Sequence, residues 1–370
     1  GLMGGLAFAL FYTGLGIPVA MLADRFSRTW IMTIALVIWS GMTAASGLAN
    51  NFWQLFAARL GVGVGEAGGV APAYSLISDF FPQNHRARAM SVYSFGIPIG
   101  SAIGIVFGGV IASMIDWRWA FFIVGIAGIA VAPIFRLTIK EPPRGQFDRK
   151  REAVKAPGLK LIVRTLISKK SFWLLSLGAS FSSMMGYGVF FWLPSFFVRS
   201  YNLTLLNASL FYGAVLLIGG LAGIWVGGWL GDRFGQSQRS QYARIPAIAF
   251  LCTVPFYILA ILSPTLTLAF FVLLVPTALG LAWLGPVISA IQHLVRPDMR
   301  ATASAIFLFI NNLIGIGRCT DAIGAVSDML TARFGDESLR YSILAGTGFY
   351  IIAAALFLLA SRWLERDWED

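Results

Sequence analysis

Eleven apolar runs follow one another along this chain of 370 residues. A helix needs about 20 apolar residues to cross the hydrocarbon core of a bilayer. The runs are continuous and rich in glycine, whereas the strands of a membrane barrel would alternate polar and apolar residues. We therefore predict an all-α polytopic membrane protein. The predicted spans cover residues 1–22, 30–49, 53–79, 89–113, 119–139, 172–197, 208–231, 244–262, 266–295, 301–325 and 341–361.

The composition agrees with a membrane location. Hydrophobic residues make up 57% of the chain and charged residues 12%, with a mean hydropathy of +0.75, whereas soluble domains carry about 25% charged residues. If the loop holding Asp24 and Arg25 is cytoplasmic, 22 of the 28 Lys and Arg residues fall on that side, four fall on the other and two lie within spans. Basic residues accumulate on cytoplasmic loops. The net charge of +11 therefore indicates membrane topology and not a nucleic-acid partner, and it predicts a cytoplasmic C-terminus.

Two pairs of phrases show that one half of the chain repeats the other. Residues 20–27 (AMLADRFS) match residues 228–235 (GWLGDRFG), and residues 82–92 match residues 297–306 with Arg86 aligned to Arg300. The offsets are 208 and 214 residues. A complete apolar run precedes the second Asp-Arg phrase, and none precedes the first. We expect two pseudo-symmetric six-helix halves, with eleven spans present and the first transmembrane helix absent from this chain.

A polar segment separates the two halves. Residues 140–170 contain many charges and three prolines but no apolar run long enough to span. We predict an N-terminal half at residues 1–139 (transmembrane helices 2–6), a cytoplasmic linker at 140–170 and a C-terminal half at 171–370 (transmembrane helices 7–12). Residues 155–170 are expected to form a short amphipathic helix on the membrane face, with Leu159, Leu161, Ile162 and Leu166 directed inward.

Several motifs resemble those of a known family. The repeated Asp-Arg phrase and the glycine-spaced fifth helix resemble the major facilitator superfamily of secondary transporters. The run from Arg59 to Glu66 (RLGVGVGE), followed by Ala71-Pro72, Asp79 and residues 95–101 (FGIPIGS), resembles the Spinster family of lipid transporters. This resemblance implies the major facilitator fold, alternating access, a lysophospholipid-like or sphingolipid-like substrate, and an acidic residue in the first helix.

The residues themselves point to Glu66 and Arg59 as a coupling pair. Glu66 lies about 14 residues, or roughly 21 Å, from the outer end of its predicted helix, which places it near the middle of the bilayer. An ionisable residue at that depth is costly and typically faces a partner or a water-filled cavity. Arg59 lies two turns earlier on the same face. We predict that Glu66 couples transport to protons, with a structural ion pair as the alternative; Arg59 could instead bind an anionic substrate group.

Charged residues at the membrane edge predict a cytoplasmic gate. Arg28 aligns with Gln236 and Asp79 aligns with His293, so both members of a possible pair are replaced together in the second half. We predict an Arg28–Asp79 salt bridge that forms in one state and breaks in another. Asp24 could also lie at the N-terminus of the helix beginning near Arg300. The alternative is that these charges only anchor the topology. The predicted gate residues are Asp24, Arg25, Arg28, Asp79, Asp232 and Arg233.

Glycines recur every four residues on the fifth helix. Small residues at this spacing allow helix backbones to approach closely, and the eighth helix is similarly rich in glycine. We predict a smooth contact between the two halves. The predicted interface residues are Gly96, Gly100, Gly104 and Gly108.

Polar and aromatic residues in the second half are candidates for a substrate cavity. With Arg59, the candidates are Ser182, Tyr187, Trp283, Asn311 and Asn312. A cavity charged on one wall and apolar on the other suits an amphiphile with an anionic head. Arg318 and Asp321, three residues apart near the outer end of a span, are predicted to pair locally and depart from the small-residue pattern of the family.

The leading prediction is a monomeric, proton-coupled secondary transporter of such an amphiphile. A proton-coupled carrier of a small organic anion, such as a sugar phosphate or carboxylate, is the alternative, because Arg59 and Glu66 would serve it equally. A membrane receptor without transport is a third possibility. The chain shows no catalytic motif, so we expect no enzymatic activity, cofactor or metal. The expected surroundings are the plasma membrane or a bacterial inner membrane.

Overall fold

The computed structural model describes residues 6–147, 157–315 and 319–369. This part of the chain is helical and contains no strand, which confirms an all-α membrane protein. The helices are α1 (Leu6–Arg25), α2 (Arg28–Ser46), α3 (Phe52–Glu66), α4 (Val70–Phe80), α5 (Arg86–Ser94), α6 (Gly96–Met114), α7 (Trp117–Thr138), α8 (Leu159–Ser168), α9 (Lys170–Tyr201), α10 (Leu205–Gly235), α11 (Gln241–Ile261), α12 (Leu266–Leu281), α13 (Leu284–His293), α14 (Arg300–Gly315), α15 (Cys319–Phe334), α16 (Ser338–Gly346) and α17 (Gly348–Asp367), with short 3-10 turns at Gln83–His85, Pro297–Met299 and Gly335–Glu337.

Within the described residues, seven helical segments are long and apolar enough to cross a membrane. They include the continuous helices α2, α7, α9 and α11, and the combined pairs α12–α13 and α16–α17. Other predicted spans are divided between two consecutive helices, as in α3–α4 and α5–α6. The count of eleven spans therefore stays a prediction.

The glycine run in the predicted span 53–79 allows α3 to lie directly against α2. A Cβ atom added at Gly65 would lie 2.5 Å from the backbone nitrogen of Trp39, and one added at Gly68 would lie 2.7 Å from the Cβ of Ala35. Neither position can accept a side chain without moving the neighbouring helix. This close packing fixes the end of α3, and with it the position of Glu66, its last residue.

The glycines predicted as an interface on the fifth transmembrane helix lie on α6 and have no close neighbour in this structure, so their role as an interface stays a prediction. A Cβ added at Gly96, Gly100, Gly104 or Gly108 would meet nothing within 4 Å. The contact with α10 is made by other residues: a Cβ at Gly220 would lie 3.1 Å from Pro98, and one at Gly231 would lie 3.3 Å from Ala87. Glycine spacing shows which helix face permits close approach, but the packing of the whole bundle decides which face is used.

The linker contains the predicted amphipathic helix, here α8. Ile162 and Leu166 are each 1% exposed, as predicted. Leu159 and Leu161 are 37% and 50% exposed to the surroundings of the protein, so their place on the inward face stays a prediction. The buried pair lies four residues apart, which is the spacing of a single helical stripe.

Several helix pairs join the two halves of the chain, and the charged contacts between the halves cluster at one end of the bundle. Helix α1 of the first half packs along α14 of the second, and α5 packs against α10 and α13. Helix α4 also packs against α14. We call this end the basic face; it carries Asp24, Arg28, Asp79, Arg86, residues 140–147, Asp232, His293 and Arg300. In this structure the two halves are closed against each other there.

Candidate functional site

Asp24 joins the halves by binding the N-terminus of a helix in the other half. Its carboxylate accepts hydrogen bonds from the backbone nitrogens of Ala301 (3.0 Å) and Thr302 (2.9 Å), and from the Thr302 hydroxyl (2.5 Å). The first N–H groups of a helix have no partner within the helix, and the helix dipole favours an anion there. The predicted placement of Asp24 at this helix is confirmed.

Asp232 makes the equivalent contact in the opposite direction. This residue of the second half accepts hydrogen bonds from the backbone nitrogens of Ala87 (2.9 Å) and Arg88 (3.0 Å), at the start of α5. The Nε atom of Arg88 also donates to it, at 2.9 Å. The aspartates of the two repeated phrases therefore each stabilise a helix of the opposite half. Such contacts exist only while the basic face is closed.

A second set of contacts surrounds Asp79, whose side chain is fully buried. Arg28 forms a salt bridge with one carboxylate oxygen, as the sequence predicts, and Arg300 of the second half lies 3.3 Å from the other. Arg28 also donates to Glu141 in the linker, at 2.7 Å. We call Arg28, Asp79, Glu141 and Arg300 the Asp79 cluster. It links α2, α4, α14 and the linker, although its behaviour as a gate stays a prediction.

Linker residues after α7 form hydrogen bonds with Asp79 and with backbone carbonyl groups near the end of α1. The backbone nitrogen of Gly145 donates to Asp79 (2.9 Å), and Arg144 donates to the carbonyl oxygens of Ala23 (2.6 Å) and Phe26 (2.7 Å). Burial opposes ionisation of Glu141, but hydrogen bonds from the Thr29 backbone and from Arg28 outweigh it and lower the pKa of the Glu141 carboxyl. Glu141 is therefore an anionic partner for Arg28.

The corresponding position in the second half holds His293 in place of an aspartate. Arg86 Nη1 lies 3.1 Å from His293 Nε2, and Arg86 Nη2 donates to the carbonyl oxygen of Ser78 at 2.7 Å. The His293 ring stacks on Trp368 with their centroids 4.4 Å apart, and the backbone nitrogen of Glu369 donates to the His293 carbonyl oxygen at 2.8 Å. We call Arg86, His293 and Trp368 the His293 cluster. A guanidinium only donates, so this contact requires an unprotonated ring nitrogen.

Two predicted gate residues lie away from these contacts. Arg25 and Arg233 are exposed, and the Arg233 guanidinium lies over the ring of Trp229 on its own helix, 5.2 Å from the centroid. The aspartate of each repeated phrase points between the halves, whereas the adjacent arginine lies on the surface. In this structure the two arginines lie outside the contacts between the halves, and their role in the gate stays a prediction.

Glu66 faces a small cavity between the two halves. This cavity has a volume of about 20 Å³ and is lined by Gly16, Glu66 and Val70 of the first half and by Ala305 and Leu308 of the second. The charge of Arg59 acts on the Glu66 carboxyl. A space of this size is close to the minimum for one water molecule, and it cannot hold an amphiphile in this arrangement.

Of the five cavity residues predicted in the second half, four are buried and Tyr187 is exposed. Asn311 and Asn312 are buried, and the hydroxyl of Ser183 donates to Asn311 at 2.9 Å. Trp283 is buried and its ring lies 6.5 Å from that of Phe307.

Ser182 is buried, whereas Tyr187 is 41% exposed. Asn312 lies one helical turn beyond Leu308, so the asparagine pair adjoins the Glu66 cavity on the same face of α14. Arg318 and the side chain of Asp321 lie outside the described residues.

Sequence reasoning missed several residues of the basic face. Arg86 and Arg300 occupy equivalent positions of the second repeated pair of phrases, a signal that could have marked both as interface residues. His293 was identified only as the residue aligned with Asp79. Glu141 and Arg144 lie in a polar linker, where charges are common, and no local pattern distinguishes them.

Comparison with known proteins supports the architecture. The model of the Major Facilitator Superfamily matches residues 1–317. An MFS-type efflux pump of Mycolicibacterium smegmatis is 30% identical over 99% of this chain and 85% of its own length, and human protein spinster homolog 1 is 26% identical over 94% and 70%.

A solved structure adds to these matches. The crystal structure of a bacterial homologue of the human lysosomal transporter Spinster, in an inward-facing and unoccupied conformation, is 33% identical, with a TM-score of 0.72 over all of this chain and 90% of that one. The fold and these relatives are those of transporters and not of enzymes. The chain therefore belongs to the Major Facilitator Superfamily and is a membrane transporter of the Spinster type.

Proposed function

We propose that this protein is a proton-coupled secondary transporter that works by alternating access and moves an amphiphile with an anionic head, of the lysophospholipid or sphingolipid class. The observation that carries this proposal is the position of Glu66. Its carboxyl lies within the membrane-spanning bundle, in a cavity whose walls come from both halves. Any motion that separates the halves therefore changes the surroundings of this group.

Proton coupling follows from the chemistry of that cavity. Apart from Glu66, its described walls are glycine, alanine, valine and leucine side chains. Enclosing a charged carboxylate among such groups is costly, whereas a protonated one is much cheaper to enclose. Closing the halves around Glu66 then favours the protonated form, and opening the cavity to water favours release of the proton. This difference links the protonation state to the conformation.

The orientation of the bundle gives this motion a direction. We propose that the basic face is cytoplasmic, because basic residues accumulate there, and that the halves are residues 1–139 and 171–370, joined by the linker at 140–170 in a monomer. The structure is closed on the basic face, whereas the bacterial Spinster homologue is inward-facing. Alternation between two such arrangements would expose the substrate site to each side in turn.

The substrate class rests on the family and on the charge at the site. Arg59 provides a guanidinium suited to phosphate or carboxylate, while much of the surrounding bundle is apolar. The human spinster relative and the bacterial homologue of the lysosomal transporter Spinster support the resemblance to the Spinster family, and that resemblance implies a lipid substrate.

One observation favours a second candidate, a small organic anion such as a sugar phosphate or carboxylate. The hydrogen-bonded group of Ser183, Asn311 and Asn312 adds polar donors next to the Glu66 cavity. Polar groups of this kind would suit a hydrophilic substrate better than an acyl chain.

Transport in proteoliposomes tests both parts of the proposal. We expect uptake of a lysophospholipid to depend on an imposed proton gradient in the wild type, and Glu66→Gln to lose at least about tenfold of the gradient-driven rate while retaining substrate exchange. Glu365→Gln, which changes an exposed carboxyl on α17, is the matched control and should behave as the wild type. An unchanged gradient dependence in Glu66→Gln would refute the coupling role; transport of sugar phosphates and not lysolipids would select the second candidate.

A further inference from the structure

The short linker helix α8 lies beside the end of a membrane-spanning helix. It ends at Ser168, and the long apolar helix α9 begins at Lys170. The indole nitrogen of Trp173, on the first turn of α9, donates to the carbonyl oxygen of Leu166 in α8, at 3.1 Å. Helix α8 also packs against α9 and α14. These contacts hold α8 at the level where α9 enters the bilayer.

Two tryptophans mark the same level of the bundle. Tryptophan side chains are enriched at the boundary between membrane and water, because the ring is apolar and its N–H is polar. Trp173 is exposed at the start of α9. Near the end of α17, the ring of Trp363 lies under the ammonium group of Lys170, 4.2 Å from the ring centroid. The neighbourhood of α8 therefore has the side chains expected at a membrane surface.

The apolar side chains of α8 form two stripes. Ile162 and Leu166 form one stripe, which is buried in the protein. Leu159, Val163 and Ile167 form the other, and all three are exposed. Residues four apart lie on one face of a helix, so each stripe is continuous and the two lie side by side. The second stripe is an apolar surface that the protein does not cover.

A basic stripe borders the exposed apolar one. Lys160 and Arg164 lie four residues apart, and both are exposed. Ile167 is seven residues after Lys160 and three after Arg164, which places these two charges next to the exposed apolar stripe. Leu161, Thr165 and Ser168 occupy the remaining side. A helix that lies in a membrane surface has this order, with basic residues beside an apolar face.

The charges of Lys160 and Arg164 are not neutralised by the described part of the chain, in which neither residue forms a salt bridge. The carboxylates near the start of α9 bind other groups. Asp367 accepts a hydrogen bond from the first turn of α9 at 2.8 Å, and Glu369 pairs with Lys169 at 2.8 Å. The basic stripe therefore suits an anionic partner, and the adjacent apolar stripe suits an acyl chain.

We propose that α8 lies in the bilayer surface and binds anionic phospholipids. Leu159, Val163 and Ile167 contact the acyl chains, whereas Lys160 and Arg164 bind the phosphate groups. Two basic side chains near the surface are expected to favour an anionic over a zwitterionic lipid by about tenfold. Binding of such lipids anchors the linker between the two halves to one leaflet.

The test measures which lipids contact α8 in the full chain. A fluorophore is attached at Ile167→Cys, which is 62% exposed, in a background with Cys252→Ala and Cys319→Ala. The protein is placed in nanodiscs of phosphatidylcholine and phosphatidylglycerol, in which one lipid or the other carries brominated acyl chains. Bromine quenches the fluorophore on contact, so the two series give the relative association constant of the lipids at this position. A fluorophore at Ile126→Cys, exposed in the middle of α7, is the control.

We expect brominated lipid to quench both fluorophores. Phosphatidylglycerol should be preferred about tenfold at Ile167 and hardly at all at Ile126. Lys160→Gln with Arg164→Gln should remove most of this preference.

Lys140→Gln with Arg244→Gln removes the same charge at exposed positions outside α8 and should leave the preference unchanged. About 1 M salt should reduce the preference in the unmutated helix, because salt screens exposed charges. This second measurement does not depend on any change in α8 charge.

No quenching at Ile167 by either brominated lipid would overturn the proposal; this result is expected if a second copy of the chain or a soluble protein covers α8. Equal association of the two lipids would also overturn it. So would a preference that persists in the Lys160 and Arg164 variant or in high salt. These outcomes do not depend on whether Glu66 couples transport to protons.

Discussion

The Asp79 cluster and the His293 cluster occupy equivalent positions in the two halves, yet they hold the basic face closed by different chemistry. In the first half, a buried carboxylate binds two guanidinium groups, those of Arg28 and Arg300. In the second half, the unprotonated imidazole of His293 accepts a hydrogen bond from Arg86 and stacks on Trp368. The contacts of Asp24 and Asp232, by contrast, are nearly the same in both halves.

This difference indicates that the two halves contribute unequally to closure. Opposite charges in a buried, low-dielectric site interact strongly, and removing one partner leaves the other uncompensated. The hydrogen bond from the charged Arg86 guanidinium to a neutral imidazole has a smaller penalty, because its acceptor carries no charge. We infer that the Asp79 cluster is the principal latch of the basic face. The His293 cluster is the weaker side, where closure can be reversed at lower cost.

The largest expected effect comes from breaking the Asp79 cluster. Asp79→Asn removes the charge that compensates Arg28 and Arg300, and we expect it to lower the free energy of unfolding by about 3 kcal/mol or more. His293→Asn, the matched change in the other half, should cost about 1.5 kcal/mol, because the hydrogen bond from the Arg86 guanidinium has a charged donor but a neutral acceptor. Thermal unfolding of the purified variants in the same detergent measures both. Equal losses would contradict the proposed inequality.

A smaller and symmetric effect is expected at the two helix N-termini. Asp24→Ala and Asp232→Ala each remove a carboxylate from the first turn of a helix in the other half, and each should cost about 1–2 kcal/mol. The two losses should agree within about 0.5 kcal/mol, since the aspartates make similar contacts. A large difference between these variants, measured by the same unfolding assay, would show that the asymmetry extends beyond the two clusters.

The smallest effect concerns Glu141 and its dependence on pH. The pKa of this carboxyl is lower in the folded protein than its ordinary value of 4.5. Its contribution is therefore complete above that ordinary pKa, and it is lost as the pH falls through the lower folded pKa. Glu141→Gln should destabilise the protein by about 1 kcal/mol or less at pH 7, with the difference from wild type shrinking below pH 4.5. Unfolding midpoints at pH 7 and pH 4 check this; a difference that grows in acid would contradict it.

The sequence predicted part of the basic face for a physical reason. Comparing the two repeats identified Arg28 and Asp79 as a pair lost together from the second half, and the helix dipole placed Asp24 at α14. Both inferences used local rules together with the internal repeat. They required no knowledge of how the halves pack against each other.

The remaining contacts depend on packing that no local pattern specifies. Arg300 and Asp79 are separated by 221 residues, and Arg86 and His293 by 207. Glu141 acquires its role only because the linker folds back over α2. The glycines of α6 show the same limit. Their spacing permits close packing of helices, but no neighbour lies close to them in this structure.

The distance between the halves on the basic face tests the central claim most directly. Spin labels are attached at Lys140→Cys and Ser237→Cys. Pulsed electron paramagnetic resonance is then recorded in phosphatidylcholine nanodiscs at pH 7 for the wild type, Asp79→Asn and His293→Asn. We predict that Asp79→Asn shifts the distribution clearly toward long distances, whereas His293→Asn stays close to the wild type. A long-distance shift in His293→Asn with none in Asp79→Asn would contradict the assignment of the Asp79 cluster as the principal latch.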